Sequence, residues 1–287
     1  MPVELSYFQA VILGVVEGLT EFLPISSTGH LTIAEQLLGL PVDDPAVTAY
    51  TAIIQIGAIA ATFLYFAKKI ARLFLAWVRG LRSEQARADR DYTLAWAVIV
   101  GSLPVGVVGF LARDLISGPL RSLWVVAAAL ILWSIVIWVA EQRHDVLERR
   151  GIHRDEHSIT VKDGLVIGLV QCFSLIPGVS RSGATISAGL MRGINRVTAT
   201  ELSFFMAIPA LTAAGVFELA RGFDDVVALG VGQRLVGVAV AFITAYASIA
   251  WLLRFVATNS LRPFIWYRVG LGLLVAVALS AGWITAT

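Results

Sequence analysis

The sequence predicts an all-α integral membrane protein with two inverted-topology repeats, each a broken re-entrant helix pair followed by three transmembrane helices. Hydrophobic residues make up 57% of the 287 residues and charged residues only 15%, whereas about a quarter of an average soluble domain is charged. Several stretches carry no charge and are long enough to cross a bilayer, which takes about 20 apolar residues. This composition excludes a soluble enzyme.

Six segments are predicted to cross the membrane within a single polytopic domain, residues 1–287. Five of them have an apolar core without Asp, Glu, Lys or Arg, and the sixth has Glu201 and Glu218 near its ends. Repeat one is assigned to residues 1–145 and repeat two to residues 158–287. The approximate limits of the crossings are 46–67, 92–112 and 122–140 in repeat one, and 199–220, 234–254 and 266–286 in repeat two.

Two further apolar segments, about 5–40 and about 163–192, are broken by proline near their middle, at Pro24 and at Pro177. Their unbroken pieces are too short to span a bilayer. Short apolar pieces interrupted by proline and glycine are typical of re-entrant half-helices. We therefore predict that each segment enters the membrane and turns back at its break.

The two broken segments resemble each other when the chain is shifted by 154 residues, which places Ser26 on Ser180 and Gly29 on Gly183. Three crossings follow each segment, and an odd number of crossings turns the second copy upside down. This is the inverted-repeat arrangement of many transporters. The alternative is a chance likeness between two apolar, glycine-rich segments.

The distribution of basic residues predicts the orientation of the chain. Most of the 22 Lys and Arg residues fall on one side of the predicted crossings, and we count Arg268 among them. The basic residues assigned to the other side are Arg113, Arg121, Arg221 and Arg234. The positive-inside rule places the richer side in the cytoplasm and both termini on the outer, periplasmic face. The two breaks then meet near the middle of the membrane.

Glu17 and Glu21 are four residues apart on an otherwise apolar helix, so both project from one face. An ionised carboxylate facing lipid costs about 3 kcal/mol at the helix centre. We therefore expect the pair to face a wet cavity and to have a partner, either a divalent cation, an arginine or a shared proton. Alternatively, the helix lies at the membrane surface and water solvates both glutamates.

Both breaks are rich in hydroxyl groups and each opens a new helix, whose N-terminus is a favourable seat for phosphate. Helix capping is the simpler interpretation of the serine and threonine side chains. Arg181 does not fit that interpretation, because a lone arginine in a membrane-embedded loop is typical of a functional site and its planar guanidinium suits phosphate oxygens.

The two breaks complement each other chemically. The first supplies Glu17, Glu21, Ser27 and His30, and the second supplies the positive charge of Arg181. This set suits a phosphate bridged to carboxylates by Mg²⁺ or Ca²⁺. The attack on phosphorus is assigned to Ser27, His30 or water. The alternative function is an inverted-repeat transporter or flippase for a lipid phosphate or small anion, although anion binding alone has little use for two carboxylates.

The two motifs, GVVEGLTEFLPISSTGH at residues 14–30 and PGVSRSGAT at residues 177–185, closely resemble those of the undecaprenyl-diphosphate phosphatases of the bacitracin-resistance type. The likeness extends over nearly the whole chain in length, hydropathy and motif placement. It implies hydrolysis of undecaprenyl diphosphate to undecaprenyl phosphate in a bacterial plasma membrane, which recycles the lipid carrier for cell-wall synthesis and confers bacitracin resistance.

The resemblance also implies a divalent-cation requirement and an active site that opens to the outer face. We assign the cation, Mg²⁺ or Ca²⁺, to Glu17 and Glu21. The catalytic residues are predicted to be Glu17, Glu21, Ser27, His30 and Arg181. The diphosphate-binding residues are predicted to be Ser26, Thr28, Ser180, Arg181, Ser182 and Thr185. The expected partners are a polyprenyl diphosphate, membrane lipids and no nucleic acid, and the chain is compatible with a homodimer.

Overall fold

The fold was analysed in a computed structural model, which describes residues 5–42, 44–221 and 230–286. This part of the chain is helical and contains no β-strand. Residues 1–4 and 287, at the ends of the predicted repeats, lie outside the described residues. The helices, in chain order, are α1 (Tyr7–Thr20), α2 (Ser27–Leu37), α3 (Pro45–Tyr65), α4 (Ala67–Arg82), α5 (Arg90–Leu111), α6 (Arg113–Ser117), α7 (Leu123–Arg149), α8 (Val161–Gln171), α9 (Arg181–Met191), α10 (Arg196–Arg221), α11 (Val231–Thr258) and α12 (Arg262–Ser280).

Within the described residues, six helices are long and apolar enough to cross a membrane: α3, α5, α7, α10, α11 and α12. Each of the six predicted crossings therefore corresponds to a helix that is long and apolar enough to span. The limits of α7, α11 and α12 differ by several residues from those of the predicted crossings, because hydropathy does not report where a helix begins or ends. Helix α7 continues through a polar end as far as Arg149. Helix α12 begins at Arg262 with a proline in its first turn, a position that proline favours.

Two short helical hairpins are inserted among these long helices. We call α1, its break and α2 the first hairpin, and α8, its break and α9 the second hairpin. In both, the residue before the second helix has a left-handed φ of 77°, which is uncommon outside glycine, and it caps that helix. These residues are Ser26 and Ser180. The same interval of 154 residues therefore relates two similar turns.

Different interactions join the two helices of each hairpin at the end away from the break. In the second hairpin, the buried carboxylate of Asp163 pairs with Arg154 and with Arg192 near the end of α9. At the corresponding place in the first hairpin, the neutral side chain of Gln9 donates to the Leu38 carbonyl at 3.2 Å. In the described residues, the end of the second hairpin is thus held by ion pairs, and the end of the first by a hydrogen bond from a neutral side chain.

Each hairpin packs its first helix against a long helix from the other half of the chain, α1 along α11 and α8 along α5. Glycines allow these helices to approach closely. A Cβ atom at Gly14 would lie 2.8 Å from the Gly237 carbonyl oxygen, and one at Gly168 would lie 1.9 Å from the Gly101 carbonyl oxygen. Small residues bring membrane helices together in this way, because close backbone approach increases van der Waals contact.

The Gly168→Ala substitution is expected to destabilise the protein, because the new methyl group would force α8 away from α5. Overpacking of this kind typically costs about 1–3 kcal/mol. Gly106→Ala in α5 is the matched control, since a Cβ at Gly106 meets no atom within 4 Å. Thermal unfolding in detergent should show a clear drop in Tm for Gly168→Ala only. Equal Tm values for the two variants would contradict the close packing of these helices.

Candidate active site

A cavity of about 270 Å³ lies where the two hairpin breaks meet helices α3, α5 and α10. Its wall is polar on the side of the hairpins and apolar on the side of α5 and α10, where Val105, Leu211 and Ala214 contribute. The polar residues in and around the breaks that line it are Glu21, Ser26, Ser27, Thr28, Ser174, Ser180 and Arg181. A cavity with these two sides suits an amphiphile with an anionic head and a hydrocarbon tail.

The two breaks are held together by direct hydrogen bonds. The Gly178 N–H donates to Ser26 Oγ at 3.1 Å, and Ser182 Oγ donates to the Leu23 carbonyl at 2.8 Å. As a result, the N-terminal ends of α2 and α9 open on the same cavity, as the sequence motifs predicted. Unpaired N–H groups at such ends favour a bound anion.

Three side chains form a chain of hydrogen bonds across this junction. Ser27 Oγ donates to Glu21 Oε2 at 2.6 Å, and Arg181 Nη2 donates to Glu21 Oε1 at 3.2 Å. Arg181 Nη1 also donates to the Ser203 carbonyl at 3.0 Å, which fixes the guanidinium. Ser27 and Arg181 occupy equivalent positions, since each is the first residue of the second helix of its hairpin. A hydroxyl, a carboxylate and a fixed cation therefore face one another.

Glu17 lies one turn before Glu21, at 1% exposure, and does not form part of the cavity wall. Its Oε1 atom has no hydrogen-bond partner in the described residues. A buried carboxylate oxygen without a partner suits a cation or a proton. The described residues contain no group of three or more His, Cys, Asp or Glu side chains that could hold a metal ion. A cation at Glu17 and Glu21 would thus need further oxygen ligands from a bound phosphate.

His30 lies outside the cavity wall. Its Nδ1 is 2.7 Å from the Ser26 carbonyl oxygen, and its Nε2 is 2.7 Å from the Tyr267 hydroxyl. Since a carbonyl only accepts, Nδ1 carries the proton and Nε2 accepts from the tyrosine. The imidazole is therefore engaged between α2 and α12, and the structure does not bring it together with Ser27, Glu21 and Arg181.

The predicted diphosphate-binding residues divide into two groups. Four line the cavity, namely Ser26, Thr28, Ser180 and Arg181, and Ser26 and Ser180 also cap α2 and α9. Ser182 and Thr185 are buried and lie outside the cavity wall. Thr185 Oγ1 is 2.7 Å from Ser203 Oγ and 2.9 Å from the Arg181 carbonyl oxygen. The second group thus supports the break.

The sequence matches the family of the bacitracin resistance protein BacA over residues 10–274, which include both motifs and all of these side chains. The chain belongs to the BacA family. The undecaprenyl-diphosphatase of Cutibacterium acnes is 49% identical over 290 residues, which cover 98% of this chain and 100% of the relative. Undecaprenyl-diphosphatase 3 of Frankia casuarinae is 52% identical over 285 residues, covering 99% of this chain and 100% of the relative.

A third relative supports the same assignment to the BacA family. The undecaprenyl-diphosphatase of Acidothermus cellulolyticus is 52% identical over 279 residues, or 96% of this chain and 98% of the relative. Such coverage means that both hairpins and the helices around them have counterparts in these relatives. The resemblance noted from the two motifs is thereby confirmed.

One basic residue of this BacA family member lies elsewhere than its sequence predicts. The charge distribution assigns Arg268 to the cytoplasmic basic residues, but it is fully buried in α12. Its guanidinium donates to the Pro24 carbonyl at 3.1 Å and to the Gly178 carbonyl at 2.9 Å, one in each break. It also donates to the Ala129 carbonyl at 3.3 Å. One feature of the sequence does indicate burial of Arg268. It lies near the start of an apolar crossing, where a lone arginine is costly unless it has partners.

Proposed function

We propose that this protein hydrolyses undecaprenyl diphosphate to undecaprenyl phosphate and inorganic phosphate. The reaction recycles the lipid carrier of cell-wall synthesis and thereby confers bacitracin resistance. The observation that carries the proposal is the hydrogen-bonded chain from Ser27 through Glu21 to Arg181, in a cavity with an apolar wall. The names of the relatives, which are about as long as this chain, support the same substrate.

Ser27 is the proposed nucleophile. Glu21 accepts the Ser27 proton, and Oγ attacks the terminal phosphorus as the bond from phosphorus to the bridging oxygen breaks. Undecaprenyl phosphate leaves, and water then hydrolyses the phosphoserine to release phosphate. The 2.6 Å contact between Ser27 Oγ and Glu21 Oε2 supports this pairing of nucleophile and base. The contacts of His30 with Ser26 and Tyr267 make it a less suitable proton acceptor.

Arg181 and the N-terminal ends of α2 and α9 would bind the diphosphate and stabilise the charge on its phosphoryl oxygens. Ser26, Thr28 and Ser180 would place hydroxyl and backbone groups around it. We assign Mg²⁺ or Ca²⁺ to Glu17 and Glu21, where the Oε1 of Glu17 lacks another partner in the described part of the chain. A bound divalent cation would neutralise part of the phosphate charge.

We further propose that the hairpins are re-entrant and that the two halves of the chain are inverted repeats. The similar turns at Ser26 and Ser180, which share a left-handed φ of 77°, support this arrangement. The packing of α1 on α11 and of α8 on α5 supports it as well, because each hairpin then takes the same place on the other half. The proposed location is the bacterial plasma membrane, with both termini and the active-site opening on the periplasmic face.

Phosphate release from undecaprenyl diphosphate by detergent-purified protein tests this function. We expect release that a chelator abolishes and that added Mg²⁺ or Ca²⁺ restores, because the two glutamates repel a phosphate when no cation lies between them. Folded protein that binds the substrate in lipid but releases no phosphate would contradict the phosphatase and favour the transporter. Release that a chelator does not change would contradict the cation assignment alone.

A further inference from the structure

Gln171 is a buried polar residue in the cavity wall to which the proposed mechanism gives no role. It is the last residue of α8, and its side chain is fully buried. Neither its amide nitrogen nor its amide oxygen has a hydrogen-bond partner in the part of the chain that the structure describes. Nearly all buried polar groups in proteins are paired, so a carboxamide with both atoms unpaired indicates a missing partner.

The position of Gln171 points to a ligand as that partner. The cavity that it lines is the one lined by Glu21, Ser27 and Arg181. Arg181 Nε, another buried atom without a partner in the described residues, belongs to the same wall, whereas the unpaired atoms of Trp77, Trp133 and Ser187 belong to residues outside it. Gln171 therefore combines burial, two unpaired polar atoms and a place in the wall of the proposed active site.

The interval of 154 residues that relates the two hairpins places Gln171 opposite Glu17 in the sequence comparison. Both side chains are buried and both have an unpaired oxygen. The first hairpin thus carries a carboxylate where the second carries a neutral carboxamide, which can donate hydrogen bonds. A carboxamide can donate two hydrogen bonds to phosphate oxygens without adding negative charge, whereas a second carboxylate at this position would repel them.

We propose that Gln171 is a further diphosphate-binding residue, which donates its amide hydrogens to phosphoryl oxygens of the substrate. The inference rests on the proposed function, since it takes the polyprenyl diphosphate as the ligand of the cavity. Together, Arg181 and Gln171 make the second hairpin the side of the site that donates hydrogen bonds to the phosphates. The first hairpin, with Glu17, Glu21 and Ser27, supplies the cation-binding and reacting groups.

The test compares wild-type protein with Gln171→Leu and Gln171→Glu. We expect the affinity for a non-hydrolysable, methylene-bridged polyprenyl diphosphate to fall about 10- to 100-fold in Gln171→Leu, as for a lost hydrogen bond to a charged group. The loss should be larger in Gln171→Glu, which adds repulsion. KM should rise in parallel. The Tm of ligand-free Gln171→Leu should stay equal or rise, because an unpaired buried carboxamide is removed.

Gln36→Leu is the matched control, since Gln36 donates to the Thr285 carbonyl outside the cavity, and its affinity should stay at the wild-type value. Wild-type affinity in Gln171→Leu would overturn the inference, as would a fall in affinity that follows a fall in Tm. If wild-type protein binds the analogue but does not hydrolyse the natural diphosphate, the proposed function fails while the binding series still decides the role of Gln171. If wild-type protein does neither, both are overturned.

Discussion

Replacing Arg181 with alanine is expected to reduce phosphate release from undecaprenyl diphosphate by about a thousandfold or more, the scale at which an arginine stabilises a phosphoryl-transfer transition state. Arg181 is the side chain that joins the second break to Glu21. Its loss removes the fixed positive charge of the cavity and leaves the buried Glu21 carboxylate without its arginine partner. The measurement is kcat/KM of purified protein with saturating Mg²⁺ or Ca²⁺.

A second variant separates charge from geometry at this position, and a variant elsewhere in the chain serves as the control. Arg181→Lys keeps the charge but loses the planar guanidinium that reaches both Glu21 and the Ser203 carbonyl, so an intermediate loss is expected. Arg79→Ala, which removes an exposed arginine bonded to its own helix, should keep wild-type activity. An Arg181→Ala protein with normal Tm and near-normal kcat/KM would contradict the proposed site.

A double-mutant cycle on Ser27 and Glu21 is expected to be strongly non-additive. Ser27→Ala and Glu21→Gln should each lower kcat by about a thousandfold or more, because nucleophile and base act as one unit. The double variant should be no slower than the slower single variant. The short bond between Ser27 Oγ and Glu21 Oε2 is the structural reason.

Trapping of a phosphorylated residue completes this test. Rapidly quenched wild-type protein should carry phosphate on Ser27, and Glu21→Gln should carry less. Thr32→Val is the matched control and should be phosphorylated on Ser27 like the wild type, because Thr32 lies in the same helix α2, outside the cavity wall, and its hydroxyl donates to the Thr28 carbonyl. A phosphohistidine at His30 would refute Ser27 as the nucleophile. So would an additive cycle with no trapped phosphate, which would assign the attack to water.

The helical architecture could be predicted because it depends on local quantities. A stretch such as residues 46–67 has the length and the absence of charge that a bilayer requires, so hydropathy alone places a helix there. The breaks could be located because Pro24 and Pro177 interrupt apolar segments. The limits were less exact where a polar helix end continues, as in α7 beyond residue 140.

The pairings within the candidate site could be predicted only in part. Their spacing predicts that Glu17 and Glu21 lie on one face of a helix. It does not indicate which of them reaches the cavity wall, and in the structure only Glu21 does. The direction of His30 depends on Tyr267, which is distant in sequence. Arg268 resembled a loop charge because nothing in its local sequence shows that two backbone breaks surround it. Side-chain direction is set by tertiary packing, which a single sequence does not contain.

The packing of α1 on α11 also constrains how the protein is made. Helix α1 is synthesised first, yet its main partner begins only at Val231. Helix α5, the main partner of α8, is synthesised before α8. Because chains are built and begin to assemble from the N-terminus, the second hairpin can dock before the first. The carboxylates of Glu17 and Glu21 are thus among the earliest functional groups to be synthesised, although the main packing partner of their helix is made much later.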